Sequence, residues 1–241
     1  MARSVKPEPG AAVALAEAGL VADAVRVLAR DGCVAVPTET VWGLAASASS
    51  AAAVEGIRAW KGRADDQPIS VLVSAPSRLA EYGFEVGPLA RALIEEFWPG
   101  PLTLVLPCRS AFAPGVARAD GSVGVRCSPH VGVAVLVAAA EASGLGPLTA
   151  TSCNRSGEPP AQTEAEARAL CAAAPGPFVI EAGANDAGGA EPSTVLDVVA
   201  EPARILREGG VTAAMLRPFI EMSQKTSAGD PSGSPEGERT G

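Results

Sequence analysis

Four polar clusters in this chain hold residue types that bind anions, and each directly follows an apolar run that reads as a strand or helix. The first is PTETVWGL, Pro37 to Leu44, where the hydroxyls of Thr38 and Thr40 stand near Gly43. The second is Lys61-Gly62-Arg63, two cations at a helix end, where they also complement the helix dipole. The third is TSCNRSG, Thr151 to Gly157, too polar and glycine-bounded for a simple connector. The fourth is Pro192-Ser193-Thr194-Val195, with Arg207-Glu208-Gly209 downstream. With Arg126 and Ser122 they supply cations (Lys61, Arg63, Arg126, Arg207) and small donors (Thr40, Ser122, Ser152, Asn154, Ser193). No nucleophile–base pair is evident. The single histidine, His130, follows Pro129 at a helix start and reads as a surface or capping residue. Phosphate-loop, G-x-G-x-x-G, H-E-x-x-H and G-x-S-x-G signatures are all absent. Cations and hydroxyls without a nucleophile suit polyanion binding and positioning, by which phosphoryl and nucleotidyl transfers are mainly catalysed. Side chains alone take the reading as far as a phosphorylated or anionic ligand.

These clusters must be held by elements that the sequence pattern also reveals. Leu20 to Arg30 carries apolar residues at helical spacing, with Gly32 as the expected C-terminal cap. Cys33 to Val36 reads as a buried strand stopped by Pro37. A helix from Ser50 to Lys61 turns Val54, Ile57 and Trp60 inward and ends at Gly62. Strands are expected at Ile69 to Val73, Leu102 to Leu106, Val123 to Arg126 and Leu148 to Thr151. Later ones fall at Phe178 to Glu181, Thr194 to Val198 and Arg204 to Leu206. Pro88 opens a helix that ends before Pro99, and another helix runs through Val133 to Ala140. Thr163 and Glu166 form a capping-box signature for a helix ending near Ala174. In WPGPLT, Trp98 to Thr103, two prolines and a glycine fix a sharp helix-to-strand turn. Strands alternating with helices predict one α/β domain with a largely parallel or mixed twisted sheet, without giving the strand order.

Of 241 residues, 47% are hydrophobic and 19% charged, which is ample for a packed core. The net charge of −8 excludes a surface coated in phosphate-binding groups, so any RNA contact must be local. Five scattered cysteines form no C-x-x-C pair, which argues against a disulfide framework or a zinc site. The start lacks the apolar core of a signal peptide, and the longest apolar run, Val131 to Ala140, is about half of what spans a bilayer. A reducing cytoplasm is the expected compartment. The expected organisation is a flexible N-terminus over residues 1–10, a catalytic domain over 11–222 and a disordered tail over 223–241. The tail expectation rests on its Ser, Gly, Pro and charge content.

In order along the chain, PTETVWGL, the K-G-R at Lys61 to Arg63, FWPGPLT at Phe97 to Thr103 and GVR at Gly124 to Arg126 resemble motifs of the YrdC-like family. TSCNRSGEPP at Thr151 to Pro160 and PSTV followed by ILREGG complete the set, spanning Gly32 to Gly209. The resemblance implies a twisted mixed sheet with flanking helices around a large concave cavity. It implies synthesis of threonylcarbamoyl-AMP from L-threonine, bicarbonate and ATP, the first step of threonylcarbamoyladenosine modification of tRNA. ATP would lie against Lys61, Arg63, Gln67, Ser122, Ser152, Asn154, Pro160 and Arg207, and threonine near Thr40, Arg126, Ala150 and Ser193. Lys61, Arg63 and Arg126 would carry the catalytic charge. Mg²⁺ would enter with the triphosphate rather than through a protein-built metal site.

Expected partners are the small substrates, a downstream threonylcarbamoyl transferase complex and weak or transient tRNA or double-stranded RNA, with no membrane. Trp42 stands where the family usually has tyrosine and would keep an aromatic wall. Ala64 stands where proline often follows, Cys153 where alanine is usual, and Leu72 where some members carry a histidine near threonine. The chain lacks the residues for the further C-terminal domain of longer members. Two other readings stay open: a carbamoyl-AMP-type carbamoyltransferase domain, and a non-catalytic RNA-binding module.

Overall fold

A computed structural model describes residues 9–62, 67–172, 176–179 and 191–228. The first helix, α1 (Pro9–Leu28), begins inside the stretch expected to be flexible and leads into β1 (Val34–Val36). The expected cap at Gly32 is displaced by one residue. Asp31 takes the left-handed conformation (φ 58°), and the Gly32 N–H bonds back to Val27 O at 2.9 Å. A short Asp side chain tolerates that region better than most residues do.

After β1 the chain returns through β2 (Gly43–Ala45), antiparallel to it, so PTETVW is a hairpin loop. Sequence patterning missed β2, because Gly-Leu-Ala has neither β-branching nor alternation. Helix α2 (Ala51–Lys61) forms as its sequence dictates. The Ser50 side chain accepts from Ala53 N, Val54, Ile57 and Trp60 are buried, and Gly62 ends it at φ 66°. That left-handed angle costs glycine nothing because it has no Cβ.

The chain continues as β3 (Ser70–Leu72), α3 (Pro88–Phe97), β4 (Leu102–Pro107) and β5 (Ser122–Arg126). Between α3 and β4 the expected sharp turn is present, with Trp98 buried and its Nε1 donating to Leu102 O at 2.7 Å. Then come α4 (Val131–Ala142), β6 (Leu148–Ser152), α5 (Glu164–Cys171), β7 (Phe178–Val179), β8 (Thr194–Asp197), β9 (Arg204–Arg207) and α6 (Ala213–Ala228). His130 is the N-cap position of α4 and makes no side-chain capping bond.

Among the described residues the strands form one mixed sheet in the order β7-β1-β2-β6-β3-β5-β4-β8-β9. β1–β7, β3–β5 and β4–β8 are parallel and the other neighbours antiparallel. The largest core cluster joins α2 and α3 to β3, β4 and β5, and includes Ile57, Leu93, Leu102, Leu104 and Val125. A second joins α1 and α4 through Leu28, Val34, Leu136 and Leu148.

Helix α6 carries the chain to Ala228, through Ser223 and into the segment expected to be a disordered tail. It forms despite Pro218 because Leu216 is fully buried, Phe219 and Ile220 pack on the main core, and Phe219 meets Phe97 edge-on at 5.5 Å. Residues 229–241 lie outside the described residues.

The capping box at the start of α5 is complete: Glu166 N donates to Thr163 Oγ1 at 3.2 Å, and Glu166 Oε2 accepts from Thr163 N at 3.3 Å. Thr163→Ala should therefore cost about 1 kcal/mol. The check is the urea midpoint, which should fall with an unchanged slope; an unmoved midpoint would show that the cap contributes nothing.

Candidate functional site

The concave side of the sheet encloses a cavity of about 720 Å³. Its walls come from the β1–β2 loop, the end of α2, the inner faces of β3 and β5, the β6 loop and the β8–β9 edge. Chain segments far apart in sequence meet here because β6 pairs with both β2 and β3, while β4 pairs with both β5 and β8.

Lys61, the last residue of α2, builds one wall. It is buried (4% exposed), and its Nζ donates to Ser152 O at 2.6 Å, Asn154 O at 3.1 Å and Asn154 Oδ1 at 2.8 Å. The Ser152 hydroxyl donates to the same Asn154 Oδ1 at 2.7 Å, and Ser156 N returns a bond to Lys61 O at 2.8 Å. A buried ammonium is tolerable when oxygens replace its water, and these bonds do so while fixing the TSCNRSG loop against the helix end. Beside them Arg155 stacks on Trp60, its guanidinium carbon 4.3 Å from the ring centroid.

Another part of the lining is built around Arg126, at the end of β5. Its side chain is 7% exposed; Nη1 donates to Thr40 Oγ1 at 3.2 Å and lies 3.3 Å from Glu39 Oε1. Thr40 is oriented in turn by Thr38, whose hydroxyl lies 2.8 Å away and 2.6 Å from Val41 O. Ser128 holds the other Glu39 oxygen at 2.5 Å. Burial depresses the basicity of Arg126, and Glu39 opposes that effect. Arg126 Nε is buried with no hydrogen-bond partner among the described residues.

Arg207, on the edge strand β9, bends back over β8. Its Nε and Nη2 donate to Ser193 O at 3.2 and 2.8 Å, and Nη2 reaches Ser193 Oγ at 3.2 Å. Ser193 Oγ lies 3.0 Å from Thr103 Oγ1. The Gly209 backbone passes so close that a Cβ there would overlap the Pro192 carbonyl oxygen. Glycine at 209 is thus a condition for Arg207 and Ser193 to meet. Burial lowers the basicity of Arg207, and the positive charge of Arg126 lowers it further. Two guanidiniums therefore feel each other within one cavity. Among the described residues no carboxylate lines it.

A family model for Sua5, YciO and YrdC proteins, described as telomere recombination, matches residues 26–209. The chain belongs to the Sua5–YciO–YrdC family. Over 202 residues it is 35% identical to the threonylcarbamoyl-AMP synthase of Bacillus subtilis, covering 83% of this chain and 56% of that protein. It is also 35% identical over 178 residues to the threonylcarbamoyl-AMP synthase of Chromohalobacter salexigens, covering 74% of this chain and 92% of that one. The crystal structure of P. abyssi Sua5 complexed with L-threonine matches with a TM-score of 0.74 at 30% identity, covering 85% of this chain and 58% of that chain. The chain thus spans little more than half of the Bacillus and P. abyssi relatives.

Most residues that the family motifs singled out do meet at this cavity: Thr40, Lys61, Gln67, Arg126, Ala150, Ser152, Asn154, Pro160, Ser193 and Arg207 all line it. Ser122 is not part of the lining. It is 1% exposed, and both its N–H and its hydroxyl donate to Asp120 Oδ1, at 2.9 and 2.5 Å. Arg63 lies outside the described residues. Trp42 is no aromatic wall: it is fully buried in the cluster with Trp60, Cys153 and Ala167, and its backbone pairs with Cys153 and Ala161. Leu72 does face the cavity.

Arg118 and Thr103 were missed. Arg118 lines the cavity and donates to the nearly buried Asp197 at 2.7 Å. An arginine in a Gly/Ala/Asp loop gives no pattern to find it by, whereas Thr103 was readable only as part of a turn.

Removing the Lys61 ammonium takes a charged donor from three oxygens, of which Asn154 Oδ1 keeps the Ser152 hydroxyl and Ser152 O keeps Asn154 N, and a hydrogen bond to a charged group is worth about 1.5–3 kcal/mol. Lys61→Ala should lower the unfolding free energy by roughly 2–4 kcal/mol, besides any effect on ligands. Chemical denaturation measures it, and a variant as stable as the parent would show that the lysine is not a structural latch.

Proposed function

We propose that this chain joins L-threonine, bicarbonate and ATP into threonylcarbamoyl-AMP with release of pyrophosphate, a nucleotidyl transfer that opens threonylcarbamoyladenosine synthesis on tRNA. The observation that carries the reading is the convergence of Arg126 and Arg207 on one cavity that no carboxylate lines among the described residues, with Lys61 in its wall. Such a site is short of negative charge, and two anionic substrates held together would supply it.

In this reaction the threonine amine takes up CO₂ derived from bicarbonate to give a carbamate. A carbamate oxygen attacks the α-phosphorus of ATP, the bond to the β-phosphate oxygen breaks, and pyrophosphate leaves. The substrates provide the nucleophile, so the protein needs none. Arg126, steadied by Thr40 and Glu39, would hold the amino-acid carboxylate, with Ser193 and Ala150 bounding the same pocket. Lys61, Ser152, Asn154 and Arg207 would line the nucleotide, joined by Arg63 and Gln67. Their contribution is to offset the repulsion between two anions and to fix the attack geometry in a partly desolvated cleft.

Mg²⁺ fits as a companion of the triphosphate. With no carboxylate among the described lining residues, phosphate oxygens and water would be its ligands, as is usual for this ion. Bound there, it would neutralise charge on the leaving pyrophosphate. Weak RNA contact and hand-over of the product to a downstream transferase belong to the same reading. No helix among the described residues is long and apolar enough to cross a membrane.

Pyrophosphate release should require ATP, threonine and bicarbonate, each omitted in turn. Release that ignores threonine would point to the carbamoyltransferase reading, and RNA binding without release to the non-catalytic one.

Arg126→Lys keeps the charge beside Glu39 but loses the planar fork. It should raise the threonine KM roughly tenfold or more, since a charge-assisted hydrogen bond is worth about 1.5–3 kcal/mol, while leaving the ATP KM within about twofold. Equal effects on both would contradict the pocket assignment.

Leu72 in the wall reads the threonine methyl only by apolar contact, about 1 kcal/mol. Threonine should therefore be preferred over serine by no more than roughly a few tens-fold in kcat/KM. A thousand-fold preference would show that another group reads the side chain.

A further inference from the structure

Three of the five cysteines gather behind the cavity wall, and the chemistry described above uses none of them. Cys153 is fully buried, and its Sγ lies 4.0 Å from the Sγ of Cys171, the last residue of α5. Cys33 packs against the same cluster. All five thiols are free. A disulfide needs sulfurs about 2.05 Å apart, so the Cys153–Cys171 pair is within reach by side-chain rotation and a small shift of the loop.

We propose that Cys153 and Cys171 form a dithiol modification site that hydrogen peroxide oxidises reversibly, and that the resulting bridge disturbs the Lys61 latch. Cys171 is the entry point: it is 8% exposed where Cys153 is 0%. The Cys153 thiol hydrogen-bonds to it and the Arg155 guanidinium lies near it, and both lower its pKa. Burial pushes the Cys33 thiol up to about 12, which keeps that neighbour protonated and slow.

The Cys171 thiolate attacks a peroxide oxygen; an S–O bond forms, the O–O bond breaks, and the hydroxide released takes up the thiol proton as water. The Cys153 thiol then attacks the sulfenic sulfur; the S–S bond forms, the S–O bond breaks, and a second water leaves. Two thiols lose two electrons and one peroxide becomes two waters.

The site is coupled to the cavity by its neighbours in sequence. Ser152 O and Asn154 O and Oδ1 hold Lys61 Nζ, while Cys153 itself is pinned through its N–H to Trp42 O at 2.8 Å and through its O to Ala161 N at 2.9 Å. Drawing Cys153 toward α5 strains these bonds and moves the two residues that present the ammonium to the ligand.

The bond itself does not depend on the reaction proposed above; its effect on nucleotide does. The test treats the reduced full-length chain with equimolar hydrogen peroxide. It should lose two titratable thiols, yield a linked Cys153–Cys171 peptide and bind ATP at least about tenfold more weakly, the loss of one charge-assisted bond. Dithiothreitol should reverse all three. Cys171→Ala should bind ATP as the untreated parent does, both before and after peroxide, whereas Cys33→Ala should still form the bridge. A Cys33-linked peptide, a sulfinic acid without a link, or a bridged protein with unchanged ATP affinity would each overturn the proposal. Reduced protein that binds no ATP at all would instead overturn the functional reading, with the peptide map still deciding the bridge.

Discussion

A lysine ammonium taken out of water must be surrounded by oxygens, and most of this site follows from how Lys61 meets that demand. Three of its acceptors belong to Ser152 and Asn154, so the end of α2 and the loop after β6 cannot be placed independently. The Gly62 cap stops the helix where the ammonium can reach that loop. The sheet order brings β6 between β2 and β3, which sets the same loop facing the PTETVW hairpin and the end of β5. One buried charge thus joins local helix chemistry to the shape of the cavity.

The rest is a balance of like charges. Arg126 is compensated from behind by Glu39, itself held by Ser128, while Arg118 is compensated by Asp197. Arg207 is held by the uncharged oxygens of Ser193. Among the described residues, Glu39 and Asp197 stand outside the lining and the three arginines within it. An acidic protein of net charge −8 therefore presents a local positive field where a ligand enters, and low-dielectric walls strengthen that field. In the proposed reaction, fixed donors of this kind would need no reorganisation as charge moves from carbamate to phosphate, the principal way in which a site that relies on the substrate's nucleophile would accelerate the transfer.

The parts of this structure that were legible in the sequence are those set by short-range physics. Ser50, the inward Val54, Ile57 and Trp60, and Gly62 specified α2 to within a residue; Pro88 did so for the start of α3, and Thr163 with Glu166 for the start of α5. Seven cavity residues (Thr40, Lys61, Arg126, Ser152, Asn154, Ser193 and Arg207) stood out as cations and small donors, and motif resemblance added Gln67, Ala150 and Pro160 and gave each a role; these ten do share a cavity. What stayed hidden depends on distant partners. β2 is a strand only because β1 and β6 flank it. α6 survives Pro218 only because Leu216, Phe219 and Ile220 have a core to enter. Ser122 turns away because Asp120 captures its hydroxyl, and Trp42 is drawn inward by the small residues Cys153, Ala161 and Ala167 around it. Each is a competition that a local pattern does not record.

The central claim is that one cavity holds two anions side by side through the cations that line it. Calorimetric titration of ATP, with and without saturating threonine and bicarbonate under conditions that block turnover, tests it directly. If the account is right, threonine leaves ATP binding intact or tightens it, and both ligands bind at one equivalent each. Competition between them, with ATP affinity falling in proportion to threonine, would mean a single shared anion site and would contradict it.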